Sequence, residues 1–82
     1  MSTQAVIPII DFDARKEIQD ASYMIESSLK QLAYDIKQLT DHNLSSRHRD
    51  MYLDEAKHNI ETAIYYRKLQ IKAYERLEGE RI

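Results

Sequence analysis

Five consecutive residues, Ser45-Ser46-Arg47-His48-Arg49, bring hydroxyls, an imidazole and two guanidiniums to a point where a helix should begin. Basic residues in a first turn oppose the helix macrodipole, at about 0.3–1 kcal/mol each when exposed. Their presence calls for a compensating anion. Free backbone N–H groups, a Ser hydroxyl and the two guanidiniums of Arg47 and Arg49 would together suit a phosphate. The plainer alternative is that Asp11, Asp13, Asp50 or Asp54 pairs with these arginines on the surface. A second pattern lies upstream: Lys16, Tyr23, Lys30 and Lys37 recur every seven residues, with Ser27 and Tyr34 at the half-steps. Cations and rings interleaved on one face suit a ligand that has both phosphates and bases, the rings stacking while the ammonium groups meet charge. A solvated outer face would look the same. The aromatic inventory of six Tyr, one Phe and no Trp puts a polar handle on most rings, which favours surfaces and pockets over a dry core.

Arg67 interrupts a run of apolar positions between Ile64 and Ile71. A cation there must snorkel, meet a carboxylate at a subunit interface or face an anionic ligand, because burying it unpaired is costly. Glu55-Ala56-Lys57-His58 has the Glu-x-x-His spacing of di-iron bundles. Those bundles also need an inward Glu on the first helix, and Glu26 is the one acid beside the expected core face, so no metal and no other cofactor is expected. There is no nucleophile elbow, phosphate-binding Gly loop or Ser/His/Asp arrangement. The run Ile10-Asp11-Phe12-Asp13-Ala14-Arg15 does not match the start of small helical mutases. The chain reads as a binding protein, not an enzyme.

The elements that must position these residues are helical. Ile18, Ala21, Ile25, Leu29, Leu32, Ile36 and Leu39 recur at steps of three and four, and so do Leu53, Ala56, Ile60, Ala63, Ile64, Ile71, Tyr74 and Leu77. Each set marks a helix with one apolar face. Asp11 or Asp13 can cap the first helix and Ser45 or Ser46 the second, with Gly79 as a C-terminal stop. The short polar link His42-Asn43-Leu44-Ser45 folds the second helix back on the first. Before the first helix, Met1 to Ile10 is uncharged and rich in β-branched residues, and Pro8 biases Ile7 towards an extended backbone. The expected organisation is all-α: an extended N-terminal arm over residues 1–12, then a two-helix hairpin over 13–82 with helices at about 13–41 and 46–78. A hairpin shields each apolar face on one side only, and small chains bury little of their surface. Self-association into a homo-oligomeric helical bundle follows as an expectation, with Val6, Ile7, Ile9 and Ile10 packing on this hairpin or a neighbour's.

Composition limits the partners. With 82 residues, one Gly, one Pro and no Cys, the chain cannot form a turn-rich sandwich, a Gly-rich loop or a thiol site. A net charge of −2 disfavours coating duplex nucleic acid. The longest apolar run, Ala5 to Ile10, is far below the roughly 18 residues that span a bilayer, and no secretory signal is visible. A cytoplasmic protein with no membrane partner is expected.

Leu32-Ala33, Ile36 and Leu39, then Ser46-Arg47, then Leu53-Asp54-Glu55-Ala56 followed by Ala63-Ile64, together resemble a family of small phage proteins. These are the anti-CBASS sponges, which sequester cyclic oligonucleotide messengers of bacterial anti-phage signalling. The likeness covers Leu32 to Arg67. It departs from the pattern in three places: the stretch from Ser46-Arg47 to Leu53 is about one turn shorter, Asn59-Ile60 stands where Trp-Ala is common, and Arg67 is one place late. The resemblance implies an all-helical homo-oligomer, a hexamer being one admissible size, with ligand pockets between subunits and neither catalysis nor metal. It also implies base stacking by an aromatic residue near the start of the first helix, where Phe12 lies closest. A phosphate-binding Lys is implied farther along; Glu26 and Ser27 occupy that place, and Lys30 is one turn on. The candidate ligand residues are therefore Phe12, Tyr23, Lys30, Ser46, Arg47 and Arg67, for a cyclic di- or trinucleotide held without hydrolysis in the host cytoplasm. The alternative function is a small helical interaction module or inhibitor acting on a partner protein.

Overall fold

The computed structural model describes the backbone of residues 2–81 and the side chains of residues 13–79. Two helices account for almost all of it: α1 (Ser2–Leu39) and α2 (Ser46–Arg81). They lie antiparallel. Tyr34 meets Tyr52, Asp35 meets Asn59, Ser22 meets Gln70 and Glu17 meets Arg76, so one helix ascends as the other descends. The result is a rod with extents of 67 × 14 × 14 Å.

The turn is built by local polar competition. Thr40 donates its hydroxyl to the Lys37 carbonyl at 2.7 Å, and the Asp41 carboxylate accepts from the Asn43 amide at 3.0 Å. Such side-chain bonds offer the backbone an alternative to further helix, so α1 stops at Leu39, two residues before the expected end. Ser45 then caps α2: its hydroxyl accepts from the His48 N–H at 3.2 Å, and its carbonyl accepts from Arg49 N–H at 2.9 Å.

Two expectations about the chain ends are corrected. Residues 2–12 are not an extended arm; their backbone continues α1. Once residues 13–39 are helical, each added residue gains a bond without a new nucleus. Pro8 forfeits one such bond, at about 3 kcal/mol, without ending the helix. The packing expected of Val6, Ile7, Ile9 and Ile10 falls outside the described side chains. At the other end α2 runs through Gly79 to Arg81, and Gly79 has no positive φ. With no chain reversal required there, Gly costs about 1 kcal/mol relative to Ala and does not act as a stop.

The seam between the helices repeats every seven residues. On α1 it is Ala14, Ile18, Ala21, Ile25, Ser28, Leu32, Asp35 and Leu39; on α2 it is Tyr52, Ala56, Asn59, Ala63, Tyr66, Gln70, Ala73 and Leu77, all buried or half-buried. Alternating steps of four and three give the 3.5-residue period of a left-handed coiled coil. The composition of the seam differs from the apolar faces expected. Its fully or nearly buried members are Ala14, Ala21, Ala73 and Leu77 with the polar Ser28, Asp35 and Gln70. Leu29, Ile36, Leu53, Ile60, Ile64, Ile71 and Tyr74, all expected inside, are instead 43–53% exposed. Small side chains fit where two backbones approach, and Asp35 and Gln70 bond across the seam, while these bulky residues lie at its flank. Among the described residues no helix is long and apolar enough to cross a membrane.

Ala73 is 0% exposed, so Ala73→Leu should overpack the seam and lower stability by about 1–3 kcal/mol. Urea titration followed by helical circular dichroism checks this; an unchanged midpoint would mean that the helices do not meet along this line.

Candidate functional site

The turn-end cluster is set by the cap. Ser45, not Ser46, provides the capping oxygen, and the same hydroxyl lies 3.0 Å from His48 Nδ1. One first-turn N–H is thereby used. Ser46 opens α2 and is exposed, as is Arg47. Arg49 pairs with Asp50 at 3.8 Å, so the surface-pairing alternative accounts for one of the two arginines. Arg47 stays open to an anion.

On the outer face of α1 the seven-residue series is solvent-exposed. Tyr23 shows 70% of its surface. Lys30 pairs with Glu26 at 3.2 Å and Lys16 with Asp20 at 3.3 Å, both i,i+4 and both exposed. Pairs of this kind are worth about 0.3–0.5 kcal/mol, little enough for a phosphate to displace. Tyr34 is turned away from this series and meets Tyr52 edge-on, with centroids 6.2 Å apart. The Tyr52 hydroxyl is pushed up in pKa, first by its hydrogen bond with Tyr34 and then by desolvation and nearby charge.

Arg67 has a partner that the sequence did not suggest. Its Nη1 donates to Gln70 Oε1 at 2.6 Å. Gln70, 5% exposed, passes its own amide N–H groups across the seam to the Ile18 carbonyl at 3.1 Å and to Ser22 Oγ at 2.6 Å. The arginine therefore braces a cross-helix relay.

These residues do not converge within one chain. Arg47 and Arg67 are about 30 Å apart along α2, and Tyr23 and Lys30 about 10 Å apart along α1, at 1.5 Å per residue. The grooves of the rod run elsewhere. One is lined by Glu17, Asp20, Tyr66, Leu69, Lys72 and Arg76, another by Gln31, Asp54, Glu55, His58 and Asn59, and neither includes Tyr23, Lys30, Ser46, Arg47 or Arg67. The side chain of Phe12 lies outside the described residues.

An acidic pair near the turn was not anticipated. Asp35 is 0% exposed; its Oδ2 accepts from Asn59 Nδ2 at 2.9 Å, while Oδ1 has no protein partner. Glu55 lies beside it, and its carboxyl is raised above the ordinary glutamate range, first by a hydrogen bond to Asp35, then by desolvation and by the Asp35 charge. The signal for this pair was the series Ala14, Ala21, Ser28, Asp35, which is small or polar at every seventh residue and marks the strip of α1 that is most deeply buried. Glu55 and His58 belong to no group of three or more metal-ligating His, Cys, Asp or Glu among the described residues.

No protein-family model, curated protein or solved structure was found to match this chain.

The pair makes stability depend on pH. Glu55 titrates higher in the folded than in the unfolded chain, so between the two values the folded state holds an extra proton. Its contribution is complete below the unfolded pKa and is lost as pH rises through the folded one. Asp35 on α1 and Asp54, His58 and Tyr52 on α2 are the titratable groups around it. Urea midpoints should fall as pH is raised from the ordinary glutamate range, and Glu55→Gln, whose amide still donates to Asp35, should flatten that fall. Parallel pH profiles for the two proteins would contradict a raised Glu55 carboxyl.

Proposed function

We propose that this chain is a non-catalytic binding module whose assembled copies sequester a cyclic di- or trinucleotide, and so blunt bacterial anti-phage signalling in the host cytoplasm. The observation that carries the reading is the outer face of α1, where the Tyr23 ring is 70% exposed and Lys30 follows two turns later, held only by a surface pair with Glu26. A free ring and a cation at that spacing offer stacking to a base and a charge-assisted contact to its phosphate. Arg47 at the open first turn of α2 supplies a second anion contact of the same chemistry. The resemblance over Leu32 to Arg67 names the ligand class, and the helical hairpin agrees with the fold it implies. Because these residues are spread along the rod, the pocket of this proposal is shared between copies.

A second reading, an interaction module for a partner protein, is favoured by one observation: seven bulky apolar side chains lie exposed beside the seam.

Thermal melts with a panel of cyclic di- and trinucleotides separate the two. A ligand present at 100 times its dissociation constant, binding only the folded state, adds about 2.7 kcal/mol. The sponge reading predicts such a shift for at least one nucleotide, its loss in Lys30→Ala/Arg47→Ala, and recovery of intact nucleotide after denaturation. No shift across the panel would rule it out.

A further inference from the structure

The two sides of the rod are unlike. The side carrying the Glu17–Arg76 ion pair holds the grooves, lined by the acids Glu17, Asp20, Asp54 and Glu55. On the opposite side Leu53, Ile60, Ile64, Ile71 and Tyr74 of α2 line up with Leu29 and Ile36 of α1, each 43–53% exposed. We infer that this aliphatic side is the interface for a second copy of the same chain, laid with its α2 antiparallel to the first.

Three observations select a second copy as the occupant. The first is area. With roughly 80–100 Å² showing on each of these side chains, the face offers on the order of 600 Å² of apolar surface, close to the roughly 800 Å² per partner of a standard interface once flanking polar groups are added. Left in water, that area stands at the top of the range of roughly 300–600 Å² for the largest apolar patch of a monomer, where such patches are often functional. The second is spacing. Leu53, Ile60, Arg67 and Tyr74 recur every seven residues, as do Ile64 and Ile71, the same period as the intramolecular seam, so an identical helix brings knobs at matching intervals. The third is symmetry and charge. Ile64 and Ile71 lie equally far from a midpoint between Arg67 and Lys68, and so do Lys57 and Glu78. About a two-fold axis there, Ile64 falls opposite Ile71 of the partner subunit and Lys57 opposite Glu78 of the partner subunit, which makes the face self-complementary. Arg67, close to the axis, is drawn towards the seam by Gln70, which takes its guanidinium away from the apolar strip.

This inference does not depend on the nucleotide reading. A missing ligand shift leaves it intact, whereas a chain that never associates removes it together with the shared pocket.

Sedimentation velocity on the full chain, with circular dichroism as a fold control, tests it. The wild type should sediment as two or more copies of 9.7 kDa. Ile64→Asp and Ile71→Asp should raise the dissociation constant at least about tenfold, and the milder Ile64→Ala should do so in part while keeping its helicity. Leu69→Asp, at an exposed position on the other side, should leave the mass unchanged. At low salt Lys57→Glu and Glu78→Lys should each weaken association several-fold and restore it when combined. A monomer up to about 1 mM, or dissociation by Leu69→Asp and not by Ile64→Asp, would overturn the interface, with another kind of partner then left to cover the face. Failure of the combined charge reversal to restore association would overturn the antiparallel register.

Discussion

One buried amide ties this rod together. Gln70 donates to the Ile18 carbonyl and the Ser22 hydroxyl on α1 and accepts from Arg67 on α2, so its donor and acceptor groups are all engaged in a nearly dry site. Asp35 and Asn59 do a similar job nearer the turn. The seam is lined by small side chains at its most buried points, Ala14, Ala21 and Ala73. That lining governs everything else. Where alanines and amides take the closest approaches, Ile18, Ile25 and Leu32 are only half-buried, and Leu53, Ile60, Ile64 and Ile71 are displaced to one flank. The hydrophobic effect, about 25 cal/mol per Å² of apolar area removed from water, is therefore only partly used within one chain.

Two unlike sides follow. The aliphatic flank has the period and charge symmetry to meet another copy. The opposite flank carries the grooves, Glu55 and the Glu17–Arg76 ion pair, and the outer face of α1 presents Tyr23 and Lys30. The proposed nucleotide site and the proposed copy interface thus use different surfaces of the rod. Association through one flank repeats the other surfaces at fixed spacing, which is how a hairpin too slim to enclose a ligand could acquire a pocket between copies.

Much of the fold was legible in the sequence for identifiable reasons. The shortage of Gly and Pro, the three-and-four spacing and the Ser45 cap act locally, and local signals give the two helices and the turn. Which face turns inward was not legible, because α2 carries two adjacent strips at helical spacing: Ala56, Ala63 and Leu77 turn in, while Ile60, Ile64 and Ile71 stay out. Hydrophobicity alone ranks the second strip higher; the hydrogen bonds of Gln70 and Asn59 to α1 select the first, and those exist only once the helices have met. Pro8 and Gly79 misled for a related reason, since each is a breaker by intrinsic preference and each is carried by a long helix. Among the candidate ligand residues, exposure of Tyr23, Lys30 and Arg47 followed from their positions on polar faces. The partner of Arg67 did not, because Gln70 lies at a seam position that an apolar pattern overlooks.

The central claim is that a single hairpin carries only part of its core and that another copy supplies the rest. The most direct test is the melting temperature of the wild-type chain at two concentrations a hundredfold apart, since stability gained by association rises with protomer concentration. A melting temperature that climbs by several degrees at the higher concentration is the predicted result. One that stays the same at both, with full helicity retained at the lower, would show that the lone hairpin is stable in itself and would contradict the account.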